Sequence, residues 1–510
     1  MEYLIRIEDR VFRSVFIGGI GGKKSEFGFR IHYSPDMKFK LLFSVLALLS
    51  AVRLAAQEVD SVISVRAPLL ALTHAKLIDG TGAAPREDQT IVVRDGHIAA
   101  VGPSATVVVP PGAQTIDLTG KSLLPGLVML HEHLMFTSVA SATVPRHFAE
   151  MEYSFPRLYL ACGVTTARTT GSFEPYTELE VKARVDAGTM PGPKFFLTAP
   201  YLEGFPSVIP QLHPVTSPAD AARQVNYYAD KGFTSFKCYM HLPRAEMHAV
   251  IEAAHQRGLT VTGHIGAVTY REAAELGIDN LEHGFYAMTD FVRGKKPDEM
   301  PNPAAAAGSL AELDINSPEV ASLIQFLITK HVALTSTLTV FATSVPGCPI
   351  LTARELDCLS ANSREQYLRT WARVSGLTDG RGVTILHKMM ALEKKFHDAG
   401  GLLVVGTDPT GNGSTIAGHG SLRAIELLVE AGLTPVQAIH VASLNGAREL
   451  GVDKSVGTVE TGKAADLVVV AGDPATDITA IRKIETVFKD GVGYDSKKLL
   501  DSVRGCVGIQ

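Results

Sequence analysis

Apolar and polar positions change rhythm twice along this chain. From Ala71 to about Asp117 the apolar residues come in short runs separated by turn residues. The run Ile91-Val-Val-Arg-Asp-Gly-His-Ile-Ala-Ala-Val-Gly102 predicts a hairpin across Asp95-Gly96, because tight hairpin turns need backbone that Asp and Gly tolerate. Residues 71–78 and 106–109 predict further strands. From Leu123 the grammar changes to β-rich runs alternating with apolar residues at helical spacing. Strands are predicted near residues 127, 165, 195, 235, 261, 281, 334 and 404. Helices are predicted over 153–162, 218–231, 245–257, 269–276, 318–331 and 389–399, with Gly232 and Gly258 as stops. Beyond Gly451 short strands return, most clearly at 465–470 and 484–488.

Eight strand–helix units imply a parallel sheet, and that number suggests a closed (β/α)8 TIM barrel of the α/β class. The economical arrangement is a barrel over residues 123–451 and a small composite β-sandwich built from 66–122 and 452–500. An open doubly wound sheet is the alternative. It usually carries a glycine-rich phosphate turn after its first strand, and none is evident here.

Composition adds little to this. Of 510 residues 46% are apolar and 20% charged, and the formal charge is −5, so bulk attraction to nucleic acid is not implied. The N-terminal stretch is different in kind. A basic start at Met37-Lys-Phe-Lys40, an apolar run over 41–52 and a small-residue exit at 53–57 read as a signal peptide over 37–56. Residues 1–36 then read as an over-extended N-terminus, with a start near Met37. The run is too short for a comfortable membrane span, which needs about 20 apolar residues. The expected product is exported, periplasmic or secreted, with no stable span after signal removal. The five cysteines lack C-x-x-C spacing, which disfavours a cysteine zinc knuckle. Cys348 and Cys358 could bridge a loop or stay as free buried thiols.

The chemistry concentrates at the C-terminal ends of the predicted strands, where barrel enzymes keep their sites. Strand one closes the run Lys121-Ser-Leu-Leu-Pro-Gly-Leu-Val-Met-Leu-His-Glu-His133. Alternate residues of a strand share a face, so His131 and His133 point together while Glu132 points away into a structural role. Strand four ends in Lys237, strand five in His264, strand six in His283 and strand eight in Asp408. Imidazole and carboxylate groups gathered on one rim are a natural metal site.

With Leu124-Pro-Gly-Leu-Val-Met-Leu-His-Glu-His133, Gly163-Val-Thr-Thr166, Phe236-Lys237, Gly263-His264, Leu281-Glu-His-Gly284 and Gly406-Thr-Asp408 the chain resembles the metal-dependent amidohydrolase superfamily. The likeness is to the branch holding imidazolonepropionase-like proteins and secreted dipeptidases of the prolidase type. The stretches 430–439 and 457–467 fit as well, so the resemblance covers about residues 70 to 490. It implies a barrel with a composite β-sandwich. It also implies two divalent metals, most simply zinc: His131, His133 and Asp408 on one, His264 and His283 on the other. Lys237 would bridge them as an N6-carboxylated lysine, since an ammonium cannot ligate a cation whereas a carbamate can. Unmodified, Lys237 would be a lone amine or an ion-pair partner. Asp408 would be the catalytic residue, taking a proton from the metal-activated water and passing it to the leaving amine.

One departure bears on reaction type. Deaminating members and imidazolonepropionase itself typically carry a glutamate three residues after the strand-five histidine, where this chain has Ala267. The balance moves to hydrolysis of an amide in a dipeptide or N-acyl amino acid. The alternatives are a mononuclear deaminase or cyclic amide or lactone hydrolase on the same scaffold, and an exported binding protein with a vestigial site. Three substrate-binding candidates follow: Tyr239, two residues after Lys237; Arg168, at the end of strand two; and His419, in the glycine-rich loop after strand eight. Residues 285–316 read as a lid or surface loop. The expected partners are a small-molecule or short-peptide substrate and further copies of the chain in a homo-oligomer.

Overall fold

The computed structural model describes residues 58–138, 148–207, 212–409 and 414–508. The predicted signal peptide and the segment before it lie outside the described residues.

The eight predicted parallel strands are all present: Leu127–Glu132, Val164–Thr169, Lys194–Phe196, Ser235–Cys238, Thr260–Gly263, Asn280–Glu282, Ala333–Ser336 and Leu403–Val405. They are buried along most of their length, as β-branched runs covered on both faces must be. Strands one to three form one ladder and strands four to eight another, every pairing parallel and every neighbour consecutive in sequence. A doubly wound sheet reverses its strand order part-way, and this one does not. The expected closed barrel is not drawn as a continuous ring among the described residues. At one seam strand three stops at Phe196, and only isolated bridges, Thr198 to Ser235 and Leu202 to Cys238, reach strand four. At the other, the Thr407 and Asp408 amides donate to the His131 carbonyl at 3.1 and 2.8 Å, just beyond strand eight. The ladders lapse there because the chain is already turning to present side chains.

Strands from both chain ends join in a nine-stranded mixed sheet, one sheet rather than the two of a sandwich. Lys121–Pro125 is its hinge, pairing antiparallel with Leu467–Ala471 and parallel with Leu69–Leu77. Leu70, Ile91, Leu123, Leu467 and Phe488 share its apolar core. The Asp95-Gly96 hairpin forms as predicted, Arg86–Arg94 against His97–Pro103. The strand predicted at 106–109 does not form, and Val108 is 81% exposed. Pro110 and Pro111 follow it and supply no ladder donor, so pairing resumes only at Gln114–Asp117.

Most helices fall where predicted. Thr269 caps Tyr270–Leu276 in a reciprocal capping box, and Gly277 ends it at a φ of 94°, open to glycine at no steric cost. Two segments differ from expectation. Residues 285–316 are not simply a surface loop: Phe285 and Leu310 are buried and Pro303–Glu312 is helical. Between strands seven and eight the chain adds the helices Leu338–Ala342, Ala353–Cys358 and Ala361–Ser375 before Arg381–Asp398. All five cysteines are free.

Candidate metal centre

Strand one ends with His131 and His133 both buried and their rings 5.3 Å apart. The ring of His283 lies 4.6 Å from that of His131, and His264 continues the line at 4.3 Å from His283. Asp408 closes the group from strand eight. One of its carboxylate oxygens is 3.4 Å from His133 Nε2 and 3.7 Å from His131 Nε2; the other is 3.8 Å from His283 Nδ1. One ligand atom from each of His131, His133 and Asp408 fits within 4.8 Å of the others, a spacing that could hold a metal ion. Lys237 and His264 face the same cavity of about 350 Å³. The structure therefore brings all six predicted ligand positions to one place.

The local backbone bends to do this. His283 and Asp408 take φ values of +67° and +51°, a left-handed conformation costly for residues with a Cβ and characteristic of sites that over-determine their geometry. At the seam, a Cβ on Gly406 would lie 2.3 Å from the His131 backbone nitrogen, so only glycine lets strand eight approach strand one.

His131 and His133 are each oriented through the nitrogen turned away from Asp408, whereas His283 meets both Asp408 and Thr337 through Nδ1. His131 Nδ1 donates to Glu282 Oε2 at 2.6 Å, leaving Nε2 buried with no hydrogen-bond partner. His133 Nδ1 lies 3.2 Å from the Gly171 carbonyl, and His283 Nδ1 lies 2.9 Å from Thr337 Oγ1. A carboxylate or carbonyl behind an imidazole holds its tautomer and turns the opposite lone pair to the centre, which is how metal-binding histidines are held. The buried, unpartnered Nε2 of His131 fits a metal ligand.

Electrostatics agree with that reading. Burial pushes His133 down to about 4 and also lowers His264, so both imidazoles are neutral near pH 7. Burial alone would raise Asp408, but His131, His133 and His283 outweigh it and hold the carboxyl well below its usual range. Burial also lowers Lys237 to about 8, and its ammonium donates to the Thr170 carbonyl at 3.1 Å.

Two substrate-side expectations are corrected. Arg168 is 2% exposed, donates to Glu282 Oε1 at 2.6 Å and to the Leu130 carbonyl at 3.0 Å, and does not line the cavity. Its positive charge balances a buried carboxylate. His419 opens the helix His419–Glu430 beside a different cavity, of about 280 Å³, with the sulfurs of Cys162 and Cys358 each 3.9 Å from one of its nitrogens. Tyr239 does line the metal cavity, 4.9 Å ring to ring from Tyr201 and 5.2 Å from His264. Glu282 was missed. It precedes His283 as Glu132 precedes His133, and the alternation applied to Glu132 was the signal available for it.

An amidohydrolase family model matches residues 122–492. That span is most of the chain. It belongs to the amidohydrolase family. The motif resemblance drawn from the strand ends is thus borne out. Among solved structures, this amidohydrolase is similar to a bottromycin amidohydrolase, with 20% identity over 86% of this chain and 91% of that one and a TM-score of 0.62. It is also similar to a Xaa-Pro dipeptidase with methionine bound in its active site, with 18% identity over 84% of this chain and 100% of that one and a TM-score of 0.60. At these identities the likeness is one of fold. In sequence it is similar to adenine deaminase of Paracoccus denitrificans, 20% identical over 81% of this chain and 56% of that protein. The chain spans between 14% and 65% of the lengths of the first curated relatives it matches.

Proposed function

We propose that this amidohydrolase cleaves an amide bond of a small molecule or short peptide with water, at a zinc centre that holds two ions. The observation that carries the proposal is the buried His131–His133–Asp408 group with His131 oriented by Glu282. The donor set is imidazole and carboxylate, which suits a borderline divalent ion. His131, His133 and Asp408 would hold one ion, and His264 and His283 the other, with Lys237 bridging once carboxylated. A lysine whose burial brings it to about 8 keeps a neutral fraction near pH 7, the form that reacts with carbon dioxide to give a carbamate. The bound ions would supply Lewis acidity to the carbonyl and a water acidic near neutral pH.

The chain's own residues do the rest. Asp408, ionised and within 3.8 Å of three imidazoles, takes one proton from the water as its oxygen bonds to the carbonyl carbon. The same carboxyl returns that proton to nitrogen as the C–N bond breaks, giving a carboxylic acid and an amine. Neutral His133 and His264 keep their lone pairs for ligation. Metal analysis with an amide panel tests the proposal: bound metal and chelator-sensitive turnover are expected. A metal-free enzyme indifferent to chelator would sink it.

A mononuclear deaminase or cyclic amide hydrolase is the second reading. The tight three-ligand group, which needs only one ion, favours it. It predicts ammonia release or ring opening, and activity that survives Lys237→Ala. Ala267 in the place of a proton-shuttling glutamate weighs against it.

Export is proposed on the basic, apolar and small-residue succession of 37–57. No helix among the described residues is long and apolar enough to cross a membrane. N-terminal sequencing tests it: a start near Gln57 is expected, and a protein retained in the cytoplasm with Met1 or Met37 intact would overturn it.

A further inference from the structure

The metal cavity is walled by rings, and the rings form a connected row. Phe148 lies 4.5 Å from Phe173, Phe173 lies 5.3 Å from Tyr201, and Tyr201 lies 4.9 Å from Tyr239. The row continues through His264 and His283 and on to Phe341, 5.8 Å from His283, and Phe341 meets Tyr286 in a tilted contact at 4.1 Å. The candidate ligands therefore sit in the middle of an aromatic groove, with four rings on one flank and two on the other. Met135, Thr137, Met240 and Val340 fill the remaining wall.

The charge inventory of that wall is as informative. Among the described residues lining the cavity, Lys237 and Asp408 are the only charged ones besides the histidines, and both belong to the metal group. Arg168, which the sequence offers as a carboxylate receptor, is spent on Glu282 behind the wall. Away from the metal group, a substrate carboxylate or ammonium would be desolvated against ring faces with no counter-charge among the described lining residues, a costly arrangement. Flat apolar groups would be received at ring-stacking distance instead.

From this we infer that the substrate is an uncharged aromatic amide: a planar apolar group lies next to the scissile bond, and no free carboxylate or ammonium lies beside it. This deepens the amide-hydrolase reading and rests on it. It also departs from a free dipeptide, which carries a charge on each side of its single amide. Phe341 and Phe148, on opposite flanks and outside the ligand set, are the specificity-determining residues.

The test compares the metal-loaded full chain on N-acetyl-phenylalanine 4-nitroanilide, N-acetyl-glutamate 4-nitroanilide and the dipeptide Ala-Asp. The aromatic anilide should exceed the other two in kcat/KM by at least about tenfold, the discrimination that apolar pockets achieve. Phe341→Leu and Phe148→Leu should raise KM for the aromatic anilide more than they lower kcat, and narrow its lead to below about threefold, with metal per chain unchanged. Equal rates, or preference for a charged substrate, would overturn the inference and leave the amide-hydrolase reading standing. Calorimetry with N-benzylbenzenesulfonamide, a sulfonamide isostere the enzyme cannot hydrolyse, and with benzenesulfonyl-glycine, its charged counterpart, separates the two ideas. Tighter binding of the uncharged compound supports the inference even if no amide is turned over, and tighter binding of the charged one overturns it.

Discussion

Glu132 and Glu282 occupy the same place in their strands, each immediately before a histidine that faces the metal centre, and both are fully buried. Their chemistry diverges. Glu282 accepts from His131, Arg168 and Thr262, and although burial alone would raise it, His131 and Arg168 bring it down to about 2. Glu132 accepts the Thr407 amide at 3.0 Å and has no cation against it among the described residues; burial lifts it to about 8. One is an anion that orients a candidate ligand, and the other a protonated acid that ties strand one to strand eight. The same Glu-His pair and the same burial give opposite charge states, because the state is set by what other strands bring alongside.

The largest effect expected is on the centre that both glutamates support. Asp408→Asn should lower kcat/KM by about 10³-fold or more while far-ultraviolet circular dichroism stays unchanged. Retention of activity within tenfold would remove Asp408 from catalysis. Glu282→Ala leaves the Arg168 guanidinium buried without its anion and should cost about 3–5 kcal/mol in urea unfolding. The milder Glu282→Gln should weaken metal affinity by about 10- to 100-fold, read by competition with a chelating dye. If Glu282→Gln and Glu132→Gln affect metal affinity equally, the contrast between the two glutamates is wrong.

A finer test uses pH on metal-free protein. Glu282, depressed in the fold, contributes stability above its ordinary value of 4.5 that is lost as pH falls toward about 2. Glu132 runs the other way. Its folded form holds a proton up to about 8, whereas the unfolded chain releases it near 4.5, so stability falls as pH rises between those values. Glu132→Gln should therefore flatten that decline by about 3–4 kcal/mol in urea titrations at pH 5 and pH 8. An unchanged slope would mean the carboxyl is already ionised in the fold. The smallest effect is expected at His419, buried like the ligand histidines but flanked by two thiols. His419→Ala should leave metal content full and kcat/KM within about threefold, at a stability cost of about 0.5–3 kcal/mol.

Much of this was legible before the structure. Period-two and helical spacing located all eight parallel strands, and the rim positions of His131, His133, Lys237, His264, His283 and Asp408 followed from them. Three things were hidden. Alternation says which residues of one strand share a face, yet it cannot say that Glu282 reaches a histidine of strand one. Arg168 and His419 sit at strand ends or rim loops by sequence, but their neighbours claim them for a buried ion pair and a thiol pocket. Tyr201, Phe341 and Phe148 come from outside the barrel strands, from a loop, the short helix Leu338–Ala342 and the short strand Phe148–Glu150, and their only signal is aromatic character, which is shared with core positions.

The sequence by itself determined the element order, the ligand chemistry and the strand-end placement that gathers it, because periodicity and residue type are local properties of the chain. Tertiary structure alone decided which buried carboxylate is charged, which arginine is spent, and that the centre lies along a row of rings. Each of those depends on groups brought to within a few ångströms from distant strands, and the energies of such pairs rise steeply only once water has been excluded around them.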